Sequence, residues 1–352
     1  MVSSEFYLGK HRVGPETPPL IIAELSGNHG QSLARAMAMV DAAADCGAHA
    51  VKIQTYTADT ITLDVEREEF RIPSSEGLWG GRSLHSLYEE AHTPWEWHAA
   101  IFERAAQRGI SCFSSPFDET AVDFLETLDT PAYKIGSFEN GHLPLIARAA
   151  ETGKPMIIST GMATLAEIDE AVQCARDSGC QQLALLKCTS SYPAEAYESH
   201  ILTIPHMSKL FRCPVGLSDH TLGIGAPIAA VANGACCIEK HFVLDRSSGA
   251  VDSAFSLEPA EFTQLVSETQ RAWASLGKIH YGPTDAESAS RKYRRSVYFA
   301  QDMSAGTALN QENIKVVRPG GGLHPRHYAA LLGRRITKDV RRGDAVDWSS
   351  ID

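Results

Sequence analysis

No stretch of the 352 residues comes near the roughly 18 consecutive apolar residues of a membrane-spanning helix, so no helical anchor is expected. The chain is also short of positive charge. Lys and Arg number 32 against 43 Asp and Glu, for a net charge of −11. That balance argues against general binding to nucleic acid or acidic membranes, which needs a basic face. It leaves room for an anionic small molecule, because a few lysines and histidines can gather inside an acidic protein. The eight cysteines include no CxxC pair, and several lie in apolar runs such as Ala235-Cys236-Cys237-Ile238. Buried free thiols in a reducing compartment fit this pattern better than disulfides. The segment MVSSEFYLGKHRVG has no apolar core and no cleavage signal, so a cytoplasmic protein is expected. Gly320, Gly321 and Gly322 lack the strand-then-helix setting of a GxGxxG loop and do not read as a dinucleotide site.

What the sequence does contain is a repeating unit. Apolar, β-branched runs at 19–25, 48–54, 110–114, 132–137, 155–160, 182–188, 214–218 and 235–241 each end in polar or glycine residues. Amphipathic stretches such as 33–46, 95–108, 164–178 and 226–234 lie between them. Strands alternating with helices read as βαβ units, and eight in succession favour a closed (β/α)8 barrel over an open sheet. The pattern stops after Trp273. We therefore expect a catalytic barrel over 1–277, a polar linker over 278–290 and a small β-rich module over 291–352. The stretch 57–95 is too long for a minimal barrel connection and is expected to be a functional loop on the mouth face.

Barrels of this kind carry their chemistry at the C-terminal ends of the strands. Those ends supply Glu24, Lys52, Gln54, Ser115, Lys134, Ser137, Ser159, Ser190, Tyr192, Ser218, His220, Glu239 and His241. Lys52 and Lys134 lie within apolar runs, where an uncompensated ammonium is costly. Their anion is a bound phosphate or carboxylate, or else a barrel glutamate, with a Schiff-base lysine as a further alternative. His220 and His241 end consecutive strands, which suits either a first-row divalent metal or a plain hydrogen-bonding pair. Cys188 reads as a packed thiol, since no base partner is evident in the sequence.

In chain order the motifs are AELSGNHG, VKIQTY, SSPFD, YKIGSFE, ISTGMA, KCTSSYP, GLSDHT, IEKHF and RPGGGLHP. This series resembles the sialic acid (nonulosonic acid) synthase family over essentially the whole chain. The resemblance implies a (β/α)8 TIM barrel followed by a SAF (antifreeze-like) domain, which in that family reaches over the mouth of the other subunit in a domain-swapped homodimer. It implies metal-dependent condensation of phosphoenolpyruvate with an N-acylated amino sugar. Lys52, Ser115, Lys134, Ser137, Ser159, Ser190 and Ser218 would hold phosphoenolpyruvate. His220 and His241 would bind the divalent metal, Mn2+ foremost, with Mg2+ or Co2+ as alternatives. Glu24 would stand beside the metal and the reacting water. Gln54, Phe138, Tyr192, Glu239 and Asp252 would face the sugar, joined by Arg318 from the opposite chain.

The N-acetylneuraminate branch of that family has Gly in the position of Phe138 and Asn in that of Ser190. The strings SFE, KCTSSYP, EKHF and DSAFSLEP are instead similar to the pseudaminic acid synthase branch. That branch uses 2,4-diacetamido-2,4,6-trideoxy-β-L-altropyranose, and Phe138 would offer an apolar wall to a 6-deoxy sugar, or else serve only in packing. The alternatives are a synthase for N-acetylneuraminate or legionaminic acid using a mannose-type sugar, a Schiff-base aldolase acting through Lys134, and a sugar-binding protein without catalysis.

Overall fold

The computed structural model describes residues 6–75 and 77–352. The strands β1 (Phe6–Leu8) and β2 (His11–Val13) form a short antiparallel hairpin. Eight further strands follow: β3 (Leu20–Glu24), β4 (Ala50–Thr55), β5 (Ser111–Pro116), β6 (Tyr133–Ile135), β7 (Met156–Ser159), β8 (Leu183–Cys188), β9 (Val215–Asp219) and β10 (Cys237–His241). They pair in parallel and in sequence, and β10 returns to β3 to close the barrel. All eight expected runs are barrel strands. They are legible because strands of a parallel barrel are buried on both faces and so read as continuous apolar runs.

Side chains alternate across a strand, and the two faces have separate cores. Ile21, Val51, Ile135, Ile158, Leu185 and Leu217 belong to the layer between barrel and helices. Leu20, Ile22, Ala50, Phe113, Ile157 and Leu186 belong to the barrel interior, where they join Leu8 and Val13 of the hairpin. The hairpin therefore plugs the N-terminal end of the barrel. It was not expected, because strands of three residues carry no measurable period. The interior is tight at Gly216, where a Cβ would come within 2.4 Å of Cys237 O and Sγ.

The segment between β4 and the helix Trp95–Gln107 has structure of its own. It contains the helix Leu84–Ala91, begun by Ser83, whose side chain accepts from Ser86 N. The helix docks on the turn Ser26–His29 after β3. A Cβ at Gly27 would lie 3.1 Å from Ala91 Cα, and Gln31 Nε2 donates to Glu90 O at 3.0 Å and His92 O at 2.7 Å.

The chain divides into two compact units, Met1–Gly277 and Lys278–Asp352. Residues 278–290 are exposed and include the short helix Asp285–Ser288. In the second unit, β11 (Ser296–Phe299) and β12 (Ile314–Val317) pair antiparallel over a core of Val297, Phe299, Leu309, Ile314, Leu331 and Val346. The triple glycine serves packing here. A Cβ at Gly322 would lie 2.1 Å from Val297 O, and the Gly321 and Gly322 amides donate to Ser296 Oγ. All eight cysteines are free. Among the described residues no helix is long and apolar enough to cross a membrane.

Candidate active site

The alternation that places Ile22 and Leu186 inside the barrel also turns Glu24, Lys52, Gln54, Ser115, Lys134, Ser159, Cys188, Ser218, Glu239 and His241 inward, above the apolar floor. His220 continues β9 in the same phase. Except for the half-buried Gln54, all are buried. Lys52 Nζ contacts the Glu24 carboxylate, donates to Ser115 Oγ at 3.2 Å and lies 3.8 Å from Glu239. Lys134 Nζ is also 3.8 Å from Glu239 and donates to Ile135 O at 3.1 Å. Ser218 Oγ donates to Glu239 Oε1 at 2.9 Å, and Gln54 Nε2 donates to Glu24 Oε1 at 3.4 Å.

Of the alternatives left open for the two lysines, barrel glutamates supply the anions in the chain itself. Burial alone would lower the Lys52 pKa, but Glu239 and Glu24 more than offset it and hold it up. For Lys134 burial prevails and the pKa is lowered. The two carboxyls diverge. Burial pushes Glu24 up, whereas Glu239 is held down because Lys134 and Lys52 outweigh its burial.

Hydroxyls gather on the β6–β8 side. Ser137 Oγ accepts from Gly161 N at 3.1 Å. A Cβ at Gly161 would fall 2.2 Å from Ser190 Oγ and 2.7 Å from Ser137 Oγ, so the glycine is what lets both hydroxyls approach one backbone amide. Ser159 Oγ is buried with no hydrogen-bond partner. Three hydroxyls, one of them held by the Gly161 amide, gather near Lys134, an arrangement suited to phosphate or carboxylate oxygens.

His220 and His241 face each other with ring centroids 5.3 Å apart. His220 Nδ1 donates to Thr189 O at 2.9 Å, leaving Nε2 as its acceptor, and His241 Nδ1 is buried with no partner. Burial, then the neighbouring His220 and lysines, keep His241 well below the usual range and therefore neutral. His220 is drawn the other way: burial lowers it, but Cys188, the Thr189 carbonyl and Asp219 more than offset that and raise it. His220 Nε2 and His241 Nδ1, which bond to no other protein group, suit a divalent cation with open positions for oxygen ligands. No group of three or more His, Cys, Asp or Glu side chains could hold a metal by itself among the described residues. Asp252 lies close by, 3.9 Å from His241 Nδ1, and accepts from Ser26 Oγ. Tyr192 packs 4.5 Å from the His220 ring, and Phe255, missed in the sequence, lies 4.8 Å from His241.

Cys188 is buried, as expected of a packed thiol, and its Sγ lies 3.9 Å from His220 Nδ1, whose hydrogen is already given to Thr189 O. Burial would raise the thiol, but His220, Ser137 and Lys134 bring it down to about 7. Phe138 is 67% exposed, which excludes a packing role within its own chain. Arg318 lies in the second unit, just past β12, and is exposed. Ser114, Asp219 and Lys240, strand-end residues expected at the mouth, point instead to the outer face and form two polar groups there. Asp219 pairs with Lys240, and Thr55 Oγ1 binds His98 Nε2 at 2.8 Å and Ser114 Oγ at 2.6 Å. Their signal was a polar residue at an outward phase of an apolar run.

Comparison with known proteins agrees with this architecture. Residues 39–281 match the NeuB family and residues 294–352 match the SAF domain. The chain is 44% identical to the pseudaminic acid synthase of Campylobacter jejuni serotype O:2, with 93% of this chain and 94% of that protein covered. It is 39% identical to the pseudaminic acid synthase of Helicobacter pylori, with 95% and 98% covered. Among solved structures, the N-acetylneuraminic acid (sialic acid) synthetase of Leptospira borgpetersenii in complex with citrate aligns with a TM-score of 0.73 at 32% identity. That alignment covers 82% of this chain and 95% of that one.

Proposed function

The chain belongs to the NeuB family, and from that premise we propose that it condenses phosphoenolpyruvate with 2,4-diacetamido-2,4,6-trideoxy-β-L-altropyranose to give pseudaminic acid and phosphate. The observation that carries this reading is the pairing, at one barrel mouth, of an anion cradle with two unpartnered histidine nitrogens. Lys134, Lys52, Ser137, Ser159, Ser190, Ser115 and Ser218 hold the phosphate and carboxylate of phosphoenolpyruvate, which is an orienting and electrostatic contribution. The sugar lies against Tyr192, Asp252, Gln54 and Glu239, with its 6-methyl toward Phe138.

His220 and His241 would hold a divalent cation, Mn2+ foremost, which when bound would supply Lewis acidity toward the sugar's carbonyl oxygen. Carbon 3 of phosphoenolpyruvate bonds to the aldehyde carbon of the open-chain sugar. Water adds to carbon 2, the carbon 2–oxygen bond to phosphorus breaks, and inorganic phosphate leaves. Two buried carboxyls flank Lys52 with their acidities pushed apart, which divides labour between them. Glu24, the one pushed up, handles the proton of the added water. Glu239 remains the standing anion that keeps both lysines in place.

The loops after β6 to β9 expose Phe138, Met162, Leu202 and Leu222. An apolar rim of this kind supports a homodimer in which Arg318 of the partner subunit reaches the sugar's N-acyl group. Eight free thiols support a cytoplasmic location. The test is phosphate release from phosphoenolpyruvate with manganese, offered the altrose derivative, N-acetylmannosamine or 2,4-diacetamido-6-deoxymannose. Release with the altrose derivative alone is expected. Release with a mannose-type sugar instead overturns the sugar assignment, and release with none overturns the synthase reading.

A further inference from the structure

Trp79 sits in the middle of the long segment between β4 and the helix Trp95–Gln107, and it is half-buried although its neighbours Leu78 and Gly80 are exposed. Its indole Nε1 donates to Val251 O at 2.9 Å. Its ring lies 5.8 Å from that of Tyr192, tilted by 53°. Val251 immediately precedes Asp252, whose carboxylate accepts from Ser26 and approaches His241. Tyr192 packs on His220 and on Phe255. One side chain from a third segment thus bridges the two loops that carry Tyr192 and Asp252.

We propose that Trp79 is a positioning and specificity-determining residue for the sugar end of this site, an inference that rests on the synthase reading above. Its indole does two jobs that no smaller ring combines. The N–H fastens the Val251–Asp252 turn, and the ring braces Tyr192, which packs on His220. The ring also extends the aromatic surface formed by Tyr192 and Phe255. A 6-deoxy, N-acylated sugar is amphipathic, with methyl groups that favour such a surface and amides that need fixed polar partners. No hydrogen bond or ring contact joins Trp79 directly to the hydroxyl cradle around Gly161, so the sugar should respond to its loss far more than phosphoenolpyruvate.

The experiment is steady-state kinetics of the full-length protein with manganese, varying each substrate against saturating amounts of the other, for wild type, Trp79→Ala and Trp79→Phe. Trp79→Ala is expected to raise the sugar KM by about tenfold or more and to leave the phosphoenolpyruvate KM within about twofold. Trp79→Phe keeps a ring but loses the bond to Val251, and is expected to raise the sugar KM by about threefold. A sugar KM within about twofold of wild type in both variants overturns the proposal, as does a phosphoenolpyruvate KM that rises in step with it. Should Trp79→Ala fail to fold, Trp79→Phe decides by the same criteria. An active wild type with unresponsive variants sinks this inference alone, whereas a wild type that releases no phosphate with any sugar sinks the synthase reading and this one with it.

Discussion

Asp219 and Lys240 form a buried ion pair on the outer face of the barrel, directly behind His220 and His241. Their side chains are 2% and 0% exposed. Lys240 Nζ also donates to Thr221 O, and Asp219 accepts from the Thr221 amide and hydroxyl. The two residues are register partners across β9 and β10. Because successive side chains on a strand point to opposite faces, the pair sets the relative height of the two histidines that follow it.

Breaking this pair leaves a charge buried among apolar side chains. Lys240→Met is expected to cost about 3–5 kcal/mol of stability, read as a drop in the urea midpoint. Lys240→Met combined with Asp219→Leu should recover much of that loss while still binding manganese more weakly than wild type by calorimetry. Wild-type stability in the single variant would show that the pair does not hold the two strands.

Gly161→Ala separates site geometry from folding. The new methyl meets the Ser190 and Ser137 hydroxyls, which can rotate away, and Ser137 Cβ at 3.0 Å, which must give by a few tenths of an ångström. We expect a stability loss within about 1 kcal/mol and a rise of about tenfold or more in the phosphoenolpyruvate KM. A large stability loss with unchanged KM would mean that the hydroxyl cluster serves packing only.

His241→Ala removes a nitrogen that bonds to nothing in the protein. Phosphate release should fall by about a hundredfold or more, and calorimetric manganese binding should disappear. The melting temperature without metal should stay within about 5 °C of wild type. Retained activity in metal-stripped variant protein would remove the cation from the reaction.

Three histidines, His29 and His98 buried and His49 half-buried, contribute to acid stability. His29, His49 and His98 are each held down to about 4 from an ordinary 6.5, chiefly by burial. Between those values the unfolded chain binds protons that the folded chain does not. Their contribution is therefore complete above the unfolded value of 6.5 and is lost as the pH falls toward 4. His98→Gln should flatten the fall in unfolding free energy between pH 7 and pH 5 by about 2 kcal/mol. Urea titrations at the two pH values would show it, and parallel curves would count against a neutral buried His98.

The barrel was legible because its eight strands are apolar throughout, and its mouth was legible because lysines, serines and histidines interrupt those runs at one end. How the mouth is wired was not. Glu24 and Glu239 come to lie on either side of Lys52 only when β10 returns to β3, a closure that no local pattern announces. Trp79 and Phe255 sit in segments without a period, where an aromatic residue has no face to declare. Lys240 lies between Glu239 and His241 in one short motif, and its opposite orientation follows only once the strand's phase is known.

The hairpin that carries Leu8 and Val13 makes the barrel a vessel with a floor. Whatever occupies the lysine and hydroxyl cradle entered past the rim and must leave the same way. On the proposed assignment phosphoenolpyruvate and the sugar load past that rim, and the sugar acid and inorganic phosphate leave across it. The plug at one end thereby makes the other both entrance and exit.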